Sequence, residues 1–263
     1  MSILSYIFVS LLSLMTTIIF VGIILYSDRK SKEPVYMIAI SLLSCVFTIS
    51  LSLILGQVLL PKLDIITQGL FDYNTNNIVK ILMLALVEEY SKLLVLYMFV
   101  SKNSNFDDVY DGVVYSSLIA LSFAALETLI YVFNEPDISS MKSLAVLRGI
   151  TTVPLHLICG VAMGYFMGKE KFLWGTKRRI ANLILCLAFP TFLHFTYNYT
   201  LTNIVNRYYN NDMLVLAIIC FFIPFYIISF IFIDKAKNLN NKFINNKKYK
   251  NMMTKEEYIN IPK

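Results

Sequence analysis

Five charged side chains and both histidines of the chain interrupt long apolar stretches: Glu88, Glu89, Lys92, Glu127, Arg148, His156 and His194. Glutamates and histidines confined in a wet pocket suit hydrolysis. A carboxylate whose proton affinity is raised by burial can take a proton from water, and a neighbouring histidine can share that proton or donate it to a leaving amine. A second histidine with an amide could hold a developing oxyanion. The same groups could instead bind Zn²⁺, which takes imidazole nitrogen and carboxylate oxygen and acidifies bound water. Other hydrolytic arrangements lack their residues. The chain has no HExxH, no GxSxG elbow and no pair of aspartates inside an apolar run.

The elements that hold these groups follow from composition. Of 263 residues 57% are hydrophobic and 15% charged, against roughly 45–50% and about 25% in soluble domains. Residues 1–27, 34–61, 149–168, 180–206 and 213–233 carry no charge, and each run reaches the ~20 residues that cross a bilayer as helix. A soluble globule, a disordered chain and a disulfide scaffold are excluded. The fold expected is an all-α, polytopic transmembrane bundle of about seven spans, at 3–26, 35–60, 78–100, 109–133, 141–168, 179–202 and 212–233. The first run reads as a retained helix, because no basic stretch precedes it and no small-residue cleavage site follows. Cys45, Cys159, Cys186 and Cys220 lie in apolar runs without CxxC spacing and read as buried thiols.

Lysine and arginine in the loops set the orientation. With the N-terminus outside, seventeen fall in cytoplasmic segments and three, Lys62, Lys142 and Arg207, outside. The expectation is N-out, C-in, with a membrane bundle over 1–233, a catalytic core over 78–202 and a basic cytoplasmic tail over 234–263. The net charge of +6 is then topology and an attraction to anionic headgroups, not nucleic-acid affinity. The location expected is a cell membrane, crossed several times.

An unpaired charge at mid-membrane lies about 2.5–3.5 kcal/mol uphill, so the embedded groups must meet one another or a wet cavity. Lys92 stands three residues after Glu89 and four after Glu88 and can neutralise either. Phe123 and Glu127 share a face, as do His194 and Asn198. His156 heads a stripe with Gly160, Gly164 and Gly168, along which another helix can approach closely; Arg148 lies two turns earlier on roughly that face. In the N-out arrangement Glu88, Glu127, His156 and His194 fall at middle to outer depth, which predicts one water-accessible pocket toward the external half. Alone, each would read as structural: an ion pair, a core histidine, interhelical glue. Asp111 reads as a helix-start residue.

Glu88-Glu89-x-x-Lys92, Phe123-x-x-x-Glu127, His156-x-x-x-Gly160 and His194-x-x-x-Asn198, in that order on successive helices, resemble the PrsW family of intramembrane proteases, related to the CAAX-processing and bacteriocin-processing (CPBP) membrane proteases. The likeness covers about 80–202, and Asp111 to Tyr115 and Arg148 to His156 are similar as well. One departure is Thr128, where the family pattern has asparagine. The resemblance implies hydrolysis of a peptide bond in a membrane-embedded or juxtamembrane segment of a single-pass protein, such as an anti-sigma factor, on the external side. It implies catalytic roles for Glu88, Glu89, His156 and His194, with Lys92, Phe123, Arg148 and Asn198 in support. Glu127, His156 and His194 would position water or a metal, and a glutamate–histidine pair could also activate water unaided. A membrane interaction or immunity protein with a silent site, and a cation transporter, are the rival readings.

Overall fold

The structure is a computed structural model and describes residues 3–28, 32–68, 73–172, 176–208, 223–224 and 226–242. Every regular element is helical: α1 (Ile3–Ser27), α2 (Val35–Leu43), α3 (Cys45–Gln68), α4 (Tyr73–Val95) running into a π-helical turn (Leu96–Val100), α5 (Val109–Phe133), α6 (Ile138–Ile150), α7 (Thr152–Phe172) and α8 (Thr176–Tyr208); residues 226–242 are helical too. Among the described residues five stretches are long and apolar enough to cross a bilayer: Ile3–Ser27, Val35–Thr67, Val109–Phe133, Ile138–Phe172 and Arg179–Thr202. The span expected at 78–100 is α4, long enough but carrying Lys80, Glu88, Glu89 and Lys92. The one expected at 212–233 lies largely outside the described residues.

Two breaks have local causes. Pro154 has no N–H, and its ring excludes the carbonyl four residues earlier, at Ile150. The span expected at 141–168 therefore divides at Thr151 into α6 and α7. Pro190, inside α8, likewise leaves the Cys186 carbonyl without its helical donor four residues before His194.

The centre of the molecule is the antiparallel pair α5 and α7, buried almost all round, whereas α1 and α3 turn side chains such as Ile7, Leu11, Ile18, Leu53 and Ile54 outward. That outer apolar surface is what lipid, not water, would cover. The glycine stripe of α7 receives α5. A Cβ at Gly160 would stand 2.8 Å from the Ser116 carbonyl oxygen and from the Ala120 Cβ, Gly164 abuts the Gly112 carbonyl, and Gly168 abuts that of Val109. The Ser116 hydroxyl donates to the Gly160 carbonyl (2.6 Å). Continuing this antiparallel register one turn past Gly160 brings His156 beside Phe123, with Glu127 next.

The start of α5 is fixed by a reciprocal cap. Asp108 accepts from the N–H groups of Tyr110 (2.7 Å) and Asp111 (3.0 Å), and Asp111 accepts from that of Asp108 (2.9 Å), the helix-start role expected of Asp111. Asn240, from the helical segment 226–242, adds a clamp. Its amide donates to Asp108 (2.8 Å) and its oxygen accepts from the Val109 N–H (3.1 Å).

Glycine contact and carboxylate burial each generate a measurable expectation. Gly164→Ala puts a methyl group into backbone and should lower stability by about 1–3 kcal/mol. Gly22→Ala, with nothing within 4 Å of the new carbon, should not; thermal unfolding in detergent compares them. At the same end of the bundle Glu33, which accepts from the Tyr115 hydroxyl, is pushed up to about 7 by burial, with Asp108 and Asp107 adding and a hydrogen bond with Asp111 opposing. Asp28 is raised to about 7 by burial and then by Glu33, with Lys237 easing it. These folded-state values exceed the unfolded ones of about 4, so the contribution is complete below that pH and is lost as pH rises through about 7. The unfolding midpoint should fall over that window, and Glu33→Gln should flatten the fall; an unchanged slope would refute the assignment.

Candidate active site

Four helices and the end of a fifth bring the sequence-selected groups together. Glu88, Glu89 and Lys92 come from α4, Phe123 and Glu127 from α5, Arg148 from the last turn of α6, His156 from the first turns of α7 and His194 from α8. Lys92 is only 1% exposed, Glu89 and His156 0%, His194 3% and Glu88 6%, so each charge must be answered locally.

Glu89 answers Lys92. Its Oε1 accepts from the Lys92 ammonium (2.7 Å) and meets His194 Nδ1 (2.8 Å). The Lys92 Nζ also lies 2.9 Å from His156 Nδ1 and 4.4 Å from the centre of the Phe123 ring. Glu127 forms the second pair: its Oε2 accepts from Arg148 (2.6 Å) and stands 3.0 Å from His156 Nε2. Arg148 is oriented by Thr128, whose hydroxyl lies 3.3 Å from Nε, and by the face of Tyr131, 4.5 Å away. The imidazoles meet edge to face, ring centres 5.0 Å apart, and Phe123 presents its edge to His156 at 5.4 Å. Between two carboxylate–cation pairs, then, the histidines are wedged in fixed orientations.

Glu88 differs. Among the described residues no cation pairs with it; its Oε2 is buried with no hydrogen-bond partner, as is Glu89 Oε2, and lies 3.7 Å from His194 Nε2. Three carboxylates face two cations here, leaving one excess negative charge that a divalent cation or a proton would offset. Glu88, His156 and His194 each offer one ligand atom within 4.8 Å of the others, and an orphaned carboxylate oxygen beside imidazole nitrogens is a donor set that zinc accepts. The residues fit a metal.

Asn198 follows His194 by one turn and is half-buried, outside the network that links the acids to the imidazoles. Tyr197, not singled out from sequence, takes hydroxyl contacts with Thr151 (3.0 Å) and Thr152 (2.8 Å). It pins α8 to the break that starts α7. Two threonines before a proline marked the break, but nothing in the sequence marked its partner.

A bundle of apolar helices around a sealed carboxylate–imidazole cluster defines a membrane-embedded enzyme of the hydrolytic kind. Residues 33–229 match the profile described as PrsW family intramembrane metalloprotease. Curated relatives named Protease PrsW include those of Oceanobacillus iheyensis (31% identical, covering 67% of this chain and 75% of the relative), Bacillus subtilis (31%, 69% and 77%) and Clostridioides difficile (29%, 66% and 71%). No solved structure gives a significant match. The chain belongs to the PrsW family: it is an intramembrane protease and a multi-pass membrane protein.

The two adjacent glutamates should separate in stability measurements. Glu89→Gln leaves the Lys92 charge buried without its counter-ion, at a cost of about 3–5 kcal/mol. Glu88→Gln removes no hydrogen bond and should unfold within about 1 kcal/mol of the parent. Denaturation of both variants in the same detergent checks this; equal losses would contradict the pairing.

Proposed function

We propose that Glu88, Glu89, Glu127, His156 and His194 form the catalytic centre of an endopeptidase that cuts a membrane-embedded or juxtamembrane bond of a single-pass substrate. The observation that carries the reading is the orphaned Glu88 oxygen, buried and 3.7 Å from His194 Nε2. A carboxylate kept free of donors in an apolar surround is a base waiting for a proton.

In this reading Glu88 takes the proton of the attacking water and His156, next to Glu127, supplies one to the departing amine. Lys92 and Arg148 hold the remaining carboxylates charged and still. Asn198, one turn from His194, is placed for the carbonyl oxygen. A metal, named by the family description without its identity, is best read as Zn²⁺ from imidazole and carboxylate donors. Bound by Glu88 and His194 with a third donor, it would polarise the carbonyl and acidify water.

The spans number seven when α4 and 212–233 are included, with the N-terminus outside; the bias of Lys and Arg supports this. Glu127 lies six residues before the end of α5, at Phe133, roughly 9 Å of helix rise, which with the N-terminus outside supports a site in the external half. Substrate helices have their carbonyls bonded internally and must unwind before attack, so the bond cut lies near a helix end. An anti-sigma factor is one substrate of that form. The motif order also supports kinship with the CPBP proteases.

The test is cleavage of a single-pass substrate by purified protein in liposomes. Glu88→Gln and His156→Ala should each reduce turnover by about 10²-fold or more, and chelator should do the same, reversed by Zn²⁺. Normal cleavage by both variants would end the assignment.

A further inference from the structure

The hydrogen bonds around the two imidazoles are not equivalent, and the geometry assigns them opposite tautomers. Lys92 is the positioning residue for His156 and Glu89 for His194. His194 Nδ1 lies 2.8 Å from Glu89 Oε1. A carboxylate only accepts, so this nitrogen carries the proton and His194 Nε2 is left with its lone pair directed toward Glu88, 3.7 Å away. His156 is the reverse. Its Nδ1 lies 2.9 Å from the Lys92 Nζ, and Lys92 is an ammonium, paired with Glu89 at 2.7 Å and set over the Phe123 ring. An ammonium only donates, so His156 Nδ1 accepts and the proton sits on Nε2, where Glu127 Oε2 receives it at 3.0 Å.

The consequence bears on the proposed centre and rests on that reading. Of the three groups whose distances suit an ion, only Glu88 and His194 present free electron pairs. His156 Nε2 is blocked by its own hydrogen, which Glu127 receives, and it can hand that proton on only as its Nδ1 takes one from the Lys92 ammonium; the remaining positions on a metal would fall to water. Glu89 stands behind His194 as the carboxylate that orients a ligating imidazole. Lys92 does for His156 the opposite of what a carboxylate would do. It keeps the ring from becoming a ligand.

The chain has two histidines, which makes the test direct. Protein labelled with ¹⁵N-histidine, metal-free in micelles at neutral pH, should show one ring protonated at Nδ1 and the other at Nε2. His194→Gln and His156→Gln, each leaving one ring, assign the signals. Lys92→Met should release His156 into exchange between both forms, while His194, left as the partner of the Glu89 carboxylate, should keep its Nδ1 proton, a split between the rings that loose packing alone would not produce. On adding Zn²⁺ the His194 Nε2 signal should move and the His156 Nε2–H should persist. Two rings of the same tautomer, a doubly protonated His156, or loss of its Nε2 proton on zinc binding would each overturn the proposal. These outcomes are read without substrate, so they are distinct from failure of the cleavage assay, which would strike the protease reading itself.

Discussion

One carboxylate oxygen carries the site. Glu89 Oε1 meets the Lys92 ammonium and His194 Nδ1 at once, with all three side chains buried. In a low dielectric an unanswered charge is far more expensive than the bond it would make. The positions of Lys92, Glu89 and His194 are therefore set together, and the helices α4 and α8 that carry them are set with respect to each other. Glu127 repeats the device between α5, α6 and α7, joined by Arg148 and His156. With both pairs closed, Glu88 is the acid of the set that no cation holds, its Oε2 left without a hydrogen bond, as is Glu89 Oε2, and lying 3.7 Å from His194 Nε2. Its reactivity is a by-product of how its neighbours are paired.

Much of this was legible in the sequence because a membrane makes polar groups conspicuous. Glutamates, a lysine and histidines inside apolar runs have few destinations, and the four-residue stripe from His156 through Gly168 named the face that a partner helix would cover. The partner itself is a tertiary fact: α5 takes that place, with the small residues Gly112, Ser116 and Ala120 at the matching interval. Spacing left open which glutamate Lys92 would choose, since both lie within one turn. The rotation of α4 against α7 decides for Glu89, and rotation is a tertiary property. The division at Thr151 was written in Pro154 but hidden by the unbroken apolarity around it. The Asn240 clamp joins residues more than a hundred positions apart, with no pattern to announce it. The span expected at 78–100 shows the converse. The charges that reveal the site also keep α4 from resembling an ordinary lipid-facing helix.

The relation between fold and activity is one of division of labour among helices. The α5–α7 pair supplies Phe123, Glu127 and His156 from a contact so close that backbone meets backbone. The helices that supply Glu88, Glu89 and His194 pack α4 against α3 and α8, and α8 against α7. A substrate's extended segment must reach atoms that are now almost wholly covered.

The glycine seam between α5 and α7 settles which walls can yield. Two rods touching through bare carbonyls have no compressible layer between them and behave mechanically as a single spine. Admission of a polypeptide would then fall to the other walls, α4 and α8, which meet through the Glu89–His194 contact. Opening on that side would part Glu89 from His194 and Lys92 from His156, so the passage of a guest and the disarming of the machinery are one motion.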